Sequence, residues 1–235
     1  MSRVKQIRKD RFHTLPNCVS QPEALLGKWH EWFQNENPVV IEPGCGKAEL
    51  SIGLAERFPN QNHIAIDLKS DRLCRGADMA IEVGLKNIAF LRLHAVQLDT
   101  TFANQSVDTI WLTFPDPFPK DRHEKHRLTH PSFLRLYQKI LKPGGKVHLK
   151  TDNDDLMAWT LEILKSSTIV PDLYTDNLHN SPYGLSEAGI ITSFEKKFLN
   201  RNKNIHYICF EIPHNLVFFN PETSLNLKNE IESNT

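Results

Sequence analysis

The sequence predicts an α/β protein with a mostly parallel sheet and helices on both faces, and two observations lead there. Short apolar runs alternate with amphipathic stretches, and the resulting strand–helix–strand order needs crossover connections, which place successive strands parallel. The runs Pro38 to Ile41, His63 to Asp67, Ile88 to Leu93, Val107 to Phe114 and Lys146 to Thr151 have the length and β-branched character of strands. Helices are expected over Ala48 to Phe58, Asp71 to Val83 and Pro131 to Leu141, the last stopped by Pro143-Gly144-Gly145. A helix from Asp152 to about Lys165 and a strand over Ile205 to Ile212 close the pattern.

At 235 residues the chain can bury one substantial core, and no composition break marks a second domain. The expected organisation is a basic N-terminal arm over 1–20, one domain over 21–218 and a polar, mobile tail over 219–235. Arg3, Lys5, Arg8, Lys9 and Arg11 make the arm basic against Asp10, without the apolar centre of a secretory signal. Equal numbers of cationic and anionic residues, 28 each, exclude a uniformly cationic surface, so a nucleic-acid face must come from local clustering. No apolar run approaches the roughly 20 residues of a membrane span. Cys18, Cys45, Cys74 and Cys209 form no paired motif, which fits reduced thiols in a cytoplasm.

The first central strand ends in Ile41-Glu42-Pro43-Gly44-Cys45-Gly46-Lys47-Ala48. Gly44 and Gly46 let the backbone turn tightly and approach a ligand, and Asp67 ends the next strand about 20 residues on, where a carboxylate accepts bonds from ribose hydroxyls. The third spaced glycine of a dinucleotide fingerprint is missing, and Glu42 would repel a pyrophosphate, so a cationic cofactor such as S-adenosylmethionine suits the turn better. A simple strand-to-helix turn would use the same glycines.

Past the fourth strand, Phe114-Pro115-Asp116-Pro117-Phe118-Pro119-Lys120 holds an aspartate between prolines that restrict the backbone beside it. The carboxyl end of a central strand is where open α/β sheets bind ligands. The cationic Lys120-Asp121-Arg122-His123-Glu124-Lys125-His126-Arg127 follows, suited either to phosphate contacts, through Lys120, Arg122 and Arg127, or to a solvated face. His123, His126 and His130 lack the cysteine or carboxylate that would complete a metal site, so no metal is expected.

Together, Phe114 to Arg127, Lys150-Thr151-Asp152-Asn153 and Thr192-Ser193-Phe194-Glu195 resemble the bacterial tRNA (guanine-N7)-methyltransferase family, with likeness running from about Pro38 to Glu211. The resemblance implies a Rossmann-like class I methyltransferase fold, with a mostly parallel seven-stranded sheet and an antiparallel last strand. It implies methyl transfer from S-adenosylmethionine to N7 of guanine in tRNA, at nucleotide 46 of the variable loop, by a cytoplasmic monomer or homodimer without membrane contact. Carried over by position, Glu42, Gly44, Gly46, Asp67, His94 and Asp116 contact the cofactor, Asp116 is catalytic, and Lys120, Asp152, Thr192, Ser193, Phe194 and Glu195 meet the tRNA. His94 stands where the family commonly has an aspartate beside adenine; its imidazole either rearranges that contact or simply packs. Ala48 replaces a common glycine, which a helix start with negative φ would accommodate. A methyltransferase with another substrate and an RNA-binding relative with an altered cofactor site are the rival readings.

Overall fold

In the computed structural model, residues 11–216 are described, so the tail expected from residue 219 and the basic residues before Arg11 lie outside them. In chain order the elements are β1 Cys18–Val19, α1 Trp29–Phe33, β2 Val39–Pro43, α2 Glu49–Arg57, β3 Asn62–Asp67, α3 Ser70–Glu82 and β4 Ile88–Arg92. The second half adds β5 Val107–Thr113, α4 Pro131–Ile140, β6 Leu141–Thr151, α5 Asp154–Ser166, β7 Leu173–Thr175, α6 Ser193–Leu199 and β8 His206–Glu211. They build one eight-stranded sheet of order β1-β4-β3-β2-β5-β6-β8-β7. β8 pairs antiparallel with both β6 and β7, while the pairings from β1 through β6 are parallel.

The eighth strand is β1, a two-residue edge strand that pairs Cys18 with Phe90 and Val19 with Leu91. It falls inside residues 1–20, expected to be a basic arm, and Phe12, Leu15, Cys18 and Val19 are all buried. Phe12, Leu15 and Cys18 join the same apolar cluster as Ala77 and Phe90, so burial of these side chains anchors residues 12–19 to the domain. β6 also starts earlier than expected: Leu141 pairs with Val107 ahead of a register shift, which lets Pro143 and Gly144 sit in an irregular bend.

Alternation along the strands sorts the core into two layers. Ile41, Ile64 and Leu91 face α4 and α5 through Phe133, Tyr137, Met157 and Leu164. Their neighbours Val40, Ala65 and Phe90 face the other way, against Leu50 and Leu54 of α2 and Leu73 and Ala77 of α3. With both faces covered, the central strands carry unbroken buried runs, as a parallel sheet requires. The chain leaves β2 towards β3 on one side and resumes at β5 on the other, so a crevice opens at the carboxyl ends of β2 and β5.

Candidate active site

A cavity of about 450 Å³ occupies that crevice, within the usual size of small-molecule sites. Its floor is Glu42 and the Gly44–Lys47 turn; Thr113, Phe114 and Asp116 descend from β5; Thr192, Ser193, Phe194 and Lys197 close it from α6; Arg72 and Arg75 reach it from α3. The sequence-predicted residues Glu42, Gly44, Gly46, Asp116, Thr192, Ser193 and Phe194 therefore share one wall-to-wall space.

The glycine turn is fixed by geometry only glycine adopts freely, with φ of 81° at Gly44 and 60° at Gly46. Asp67 stitches it to β3: its Oδ2 accepts from the Gly46 N–H at 3.0 Å and its Oδ1 from the Lys69 N–H at 2.8 Å. Asp67 thus shapes the turn, though it is not among the residues that line the cavity. Ala48 departs from expectation, since it caps α2 at φ 59°, left-handed backbone that disfavours a Cβ, and not at negative φ.

Glu42 is buried at 3 % exposure, and its Oε2 accepts from both the Ser51 N–H, at 3.1 Å, and the Ser51 hydroxyl. Burial pushes its carboxyl up to about 7, with the Ser51 bonds and the Lys150 charge opposing the shift. The Thr113 hydroxyl is buried in the same wall beside Glu42 and also helps hold its carboxyl down. A buried carboxylate that favours a nearby cation, with a hydroxyl beside it, fits a compact, positively charged, polar ligand.

Asp116 is exposed at the cavity mouth, in a backbone bracketed by two left-handed residues, Phe114 at φ 48° and Phe118 at φ 44°. Such conformations in bulky residues cost of order 1–3 kcal/mol each and persist only where the surroundings impose them. The Phe114 ring packs edge-on to Phe194 at 5.5 Å and stacks on Phe198 at 6.0 Å, locking the start of the loop to α6.

The T-x-F-E motif has a local structural meaning: it is a capping box. Thr192 Oγ1 accepts from the Glu195 N–H at 3.1 Å while Glu195 Oε2 accepts from the Thr192 N–H at 3.3 Å, starting α6. Ser193 donates from its hydroxyl to Glu49 Oε1 at 2.6 Å, joining α6 to α2. Phe194 is left 47 % exposed at the rim. Glu195 is the correction: it is fully buried and does not face the cavity, because its oxygens also accept from Lys150 Nζ at 2.9 Å and bond His179 at 2.8 Å.

Three further expected residues stand apart from the cavity wall. His94 is exposed, and its Nδ1 accepts from the Val96 N–H at 3.3 Å, capping the short turn Ala95–Thr100. Asp152 lies 3.6 Å from Lys203 and precedes Asn153, whose Oδ1 accepts from the Leu156 N–H at 2.7 Å to cap α5. Lys120 is exposed at the start of the turn Asp121–His126. Arg127, read from sequence with the phosphate-facing cations, is turned inward and 7 % exposed. His130 caps α4 through Nδ1, and among the described residues no group of histidine, cysteine, aspartate or glutamate could hold a metal ion. Nor is any helix there long and apolar enough to cross a membrane.

Sequence reasoning passed over Ser51, Thr113 and Gly76. The first two carry no motif, but the third had a signal: a glycine inside a helical pattern marks a close approach. A Cβ at Gly76 would overlap the Lys47 carbonyl oxygen and come within 2.8 Å of Phe90, so α3 can lie against the cofactor-side turn only with glycine there.

Comparison with known proteins agrees with this architecture. A family model described as a putative methyltransferase matches residues 36–208. The tRNA (guanine-N(7)-)-methyltransferase of Cytophaga hutchinsonii is 41 % identical, covering 88 % of this chain and 97 % of the relative. The enzyme of the same name from Bacteroides thetaiotaomicron is 38 % identical, covering 88 % of this chain and 81 % of the relative. Among solved structures, the 16S rRNA methyltransferase KamB superposes with a TM-score of 0.60 at 15 % identity, covering 80 % of this chain and 94 % of that one, a likeness of fold. Matched by that family model over residues 36–208 and by relatives of this name at 41 and 38 % identity over 88 % of its length, the chain belongs to the tRNA (guanine-N(7)-)-methyltransferase family.

Proposed function

We propose that this protein transfers a methyl group from S-adenosylmethionine to N7 of a guanine in tRNA, the guanine at nucleotide 46 being the target. The observation that carries the reading is the convergence of Glu42, the Gly44–Gly46 turn and Asp116 on one cavity in a chain of this family. When bound, the cofactor supplies a methyl on a positively charged sulfur. Glu42 and the Thr113 hydroxyl offer that cation and its polar groups partners inside the cavity, while the glycine turn lets the backbone lie against it. Asp67, which fixes the turn through two backbone N–H groups, keeps acceptor capacity for a ribose.

Guanine N7 carries an in-plane lone pair and no proton, so no strong base is needed, and alignment of nucleophile and methyl can contribute roughly 7–11 kcal/mol. Asp116, at the mouth, has an acceptor-only carboxylate that can grip the N–H edge of guanine and stabilise the positive charge it acquires. Phe194 at the rim offers a face to an unstacked base, and exposed Lys120 offers a phosphate contact. Four buried cysteine thiols and a tRNA substrate support a cytoplasmic setting.

The test is incubation of purified protein with tRNA and methyl-labelled S-adenosylmethionine, followed by nucleoside analysis and cleavage mapping. Label in 7-methylguanosine at the variable loop is the expected result. Label in another nucleoside identifies a different substrate, and tRNA binding without transfer identifies an RNA-binding protein with an altered cofactor site.

A further inference from the structure

We propose that Arg127 is the positioning residue for Asp116, a buried clamp that holds the Pro115–Pro119 loop in its strained shape from beneath. The inference rests on the catalytic reading of Asp116. Arg127 Nε donates to the carbonyl oxygens of Pro117 and Phe118 at 3.2 and 3.3 Å, and Nη2 donates to Phe118 again at 3.0 Å. The guanidinium carbon lies 4.6 Å from the centre of the Trp159 ring on α5, and Trp159 in turn stacks on His130 at 6.3 Å. A buried cation ordinarily pairs with a carboxylate, yet among the described residues Arg127 has no carboxylate within ion-pair distance. Its charge is met by two loop carbonyls and one aromatic face, so this guanidinium is committed to the loop.

The chemistry of the loop shows why a clamp is needed. Proline at 115, 117 and 119 removes the N–H groups that would otherwise tie the segment into the sheet. Phe118 sits at φ 44°, a conformation that its own sequence does not favour. The planar fork of arginine reaches two successive carbonyls at once; a lysine ammonium is a point charge without that fixed geometry. The strand-side end of the loop is held separately, by the Phe114 N–H donating to the Lys150 carbonyl at 2.8 Å and by the Phe114 ring on α6. Arg127 holds the far end, and Asp116 lies between the two anchors.

The experiment compares the full-length parent with Arg127→Met and Arg127→Lys by backbone 15N relaxation at Asp116 and Phe118, alongside single-turnover methyl transfer and thermal melting. The expected order parameters at both residues fall from about 0.85 towards 0.6 in Arg127→Met. Transfer at saturating tRNA and cofactor falls about tenfold, with both affinities within about twofold of the parent, and Arg127→Lys recovers part of each. Parental order parameters in either folded variant overturn the proposal, as does a loss confined to tRNA affinity, which would make Arg127 a phosphate contact. If Arg127→Met does not fold, Arg127→Lys carries the comparison. If the parent itself transfers no methyl, the functional reading fails, and the relaxation data still decide whether Arg127 orders the loop.

Discussion

Lys150 and Glu195 form an ion pair 2.9 Å long in which neither side chain has any exposed surface. Lys150, near the end of β6, also donates to the Ile190 carbonyl at 2.9 Å, while Glu195 completes the α6 capping box and bonds His179. Burial lowers the Lys150 ammonium pKa, and Glu195 works against that shift. One charge left behind without the other is therefore costly. Lys150→Met should lose about 3–5 kcal/mol in urea unfolding, while Lys150→Met with Glu195→Gln should recover more than half of it. Equal losses in the single and double variants would show that packing, not charge, sets the cost.

Asp116→Ala should keep its fold, because the side chain is exposed and the loop is anchored at Phe114 and Arg127. A group that acts on developing charge lowers turnover more than binding, so single-turnover transfer should fall about 100-fold or more while cofactor affinity changes far less. Near-parental transfer in saturating tRNA and cofactor would remove Asp116 from catalysis.

Glu42 gives cofactor binding a pH dependence. Its carboxyl is pushed up to about 7 by burial, and a cationic ligand favours its ionised form, so binding releases a proton. Calorimetric affinity should rise about tenfold between pH 6 and pH 8 and level off above, and Glu42→Gln should bind more weakly with a flat profile. The fold responds in the opposite sense. The native state holds that proton more tightly than the unfolded chain, so stability from this group declines as pH climbs from the ordinary carboxyl value to about 7. A parent affinity independent of pH over this window would place the cofactor's charge away from Glu42.

Gly76→Ala reverses a familiar rule. At an exposed helix position the change gains about 1 kcal/mol, but here the added methyl meets the Lys47 carbonyl and the Phe90 ring. The expected result is a lower melting temperature and, because the Gly44–Lys47 turn must shift, weaker S-adenosylmethionine binding. A gain in stability with unchanged affinity would mean that the turn yields at no cost.

The parts of this architecture that sequence discloses are those governed by local rules. Strands such as Ile88–Arg92 announce themselves by apolar runs, and Gly44 and Gly46 by a turn that disfavours side chains. β1 and β7, two and three residues long, carry no period to detect. Arg127 and Glu195 look like surface charges in a string of letters, and only tertiary packing turns them inward. Asp116 was legible because its prolines advertise rigidity, whereas the source of that rigidity at Arg127 was not.

The short pairing of Cys18 and Val19 with Phe90 and Leu91 also guards the protein against its own copies. Without it, the outer edge of β4 would present unpaired backbone groups beside the fully buried Phe90 and Leu91, a template for strand addition between molecules. Removing residues 1–20 should therefore produce a chain that self-associates in sedimentation experiments, even though the crevice lies in the middle of the sheet, away from that edge.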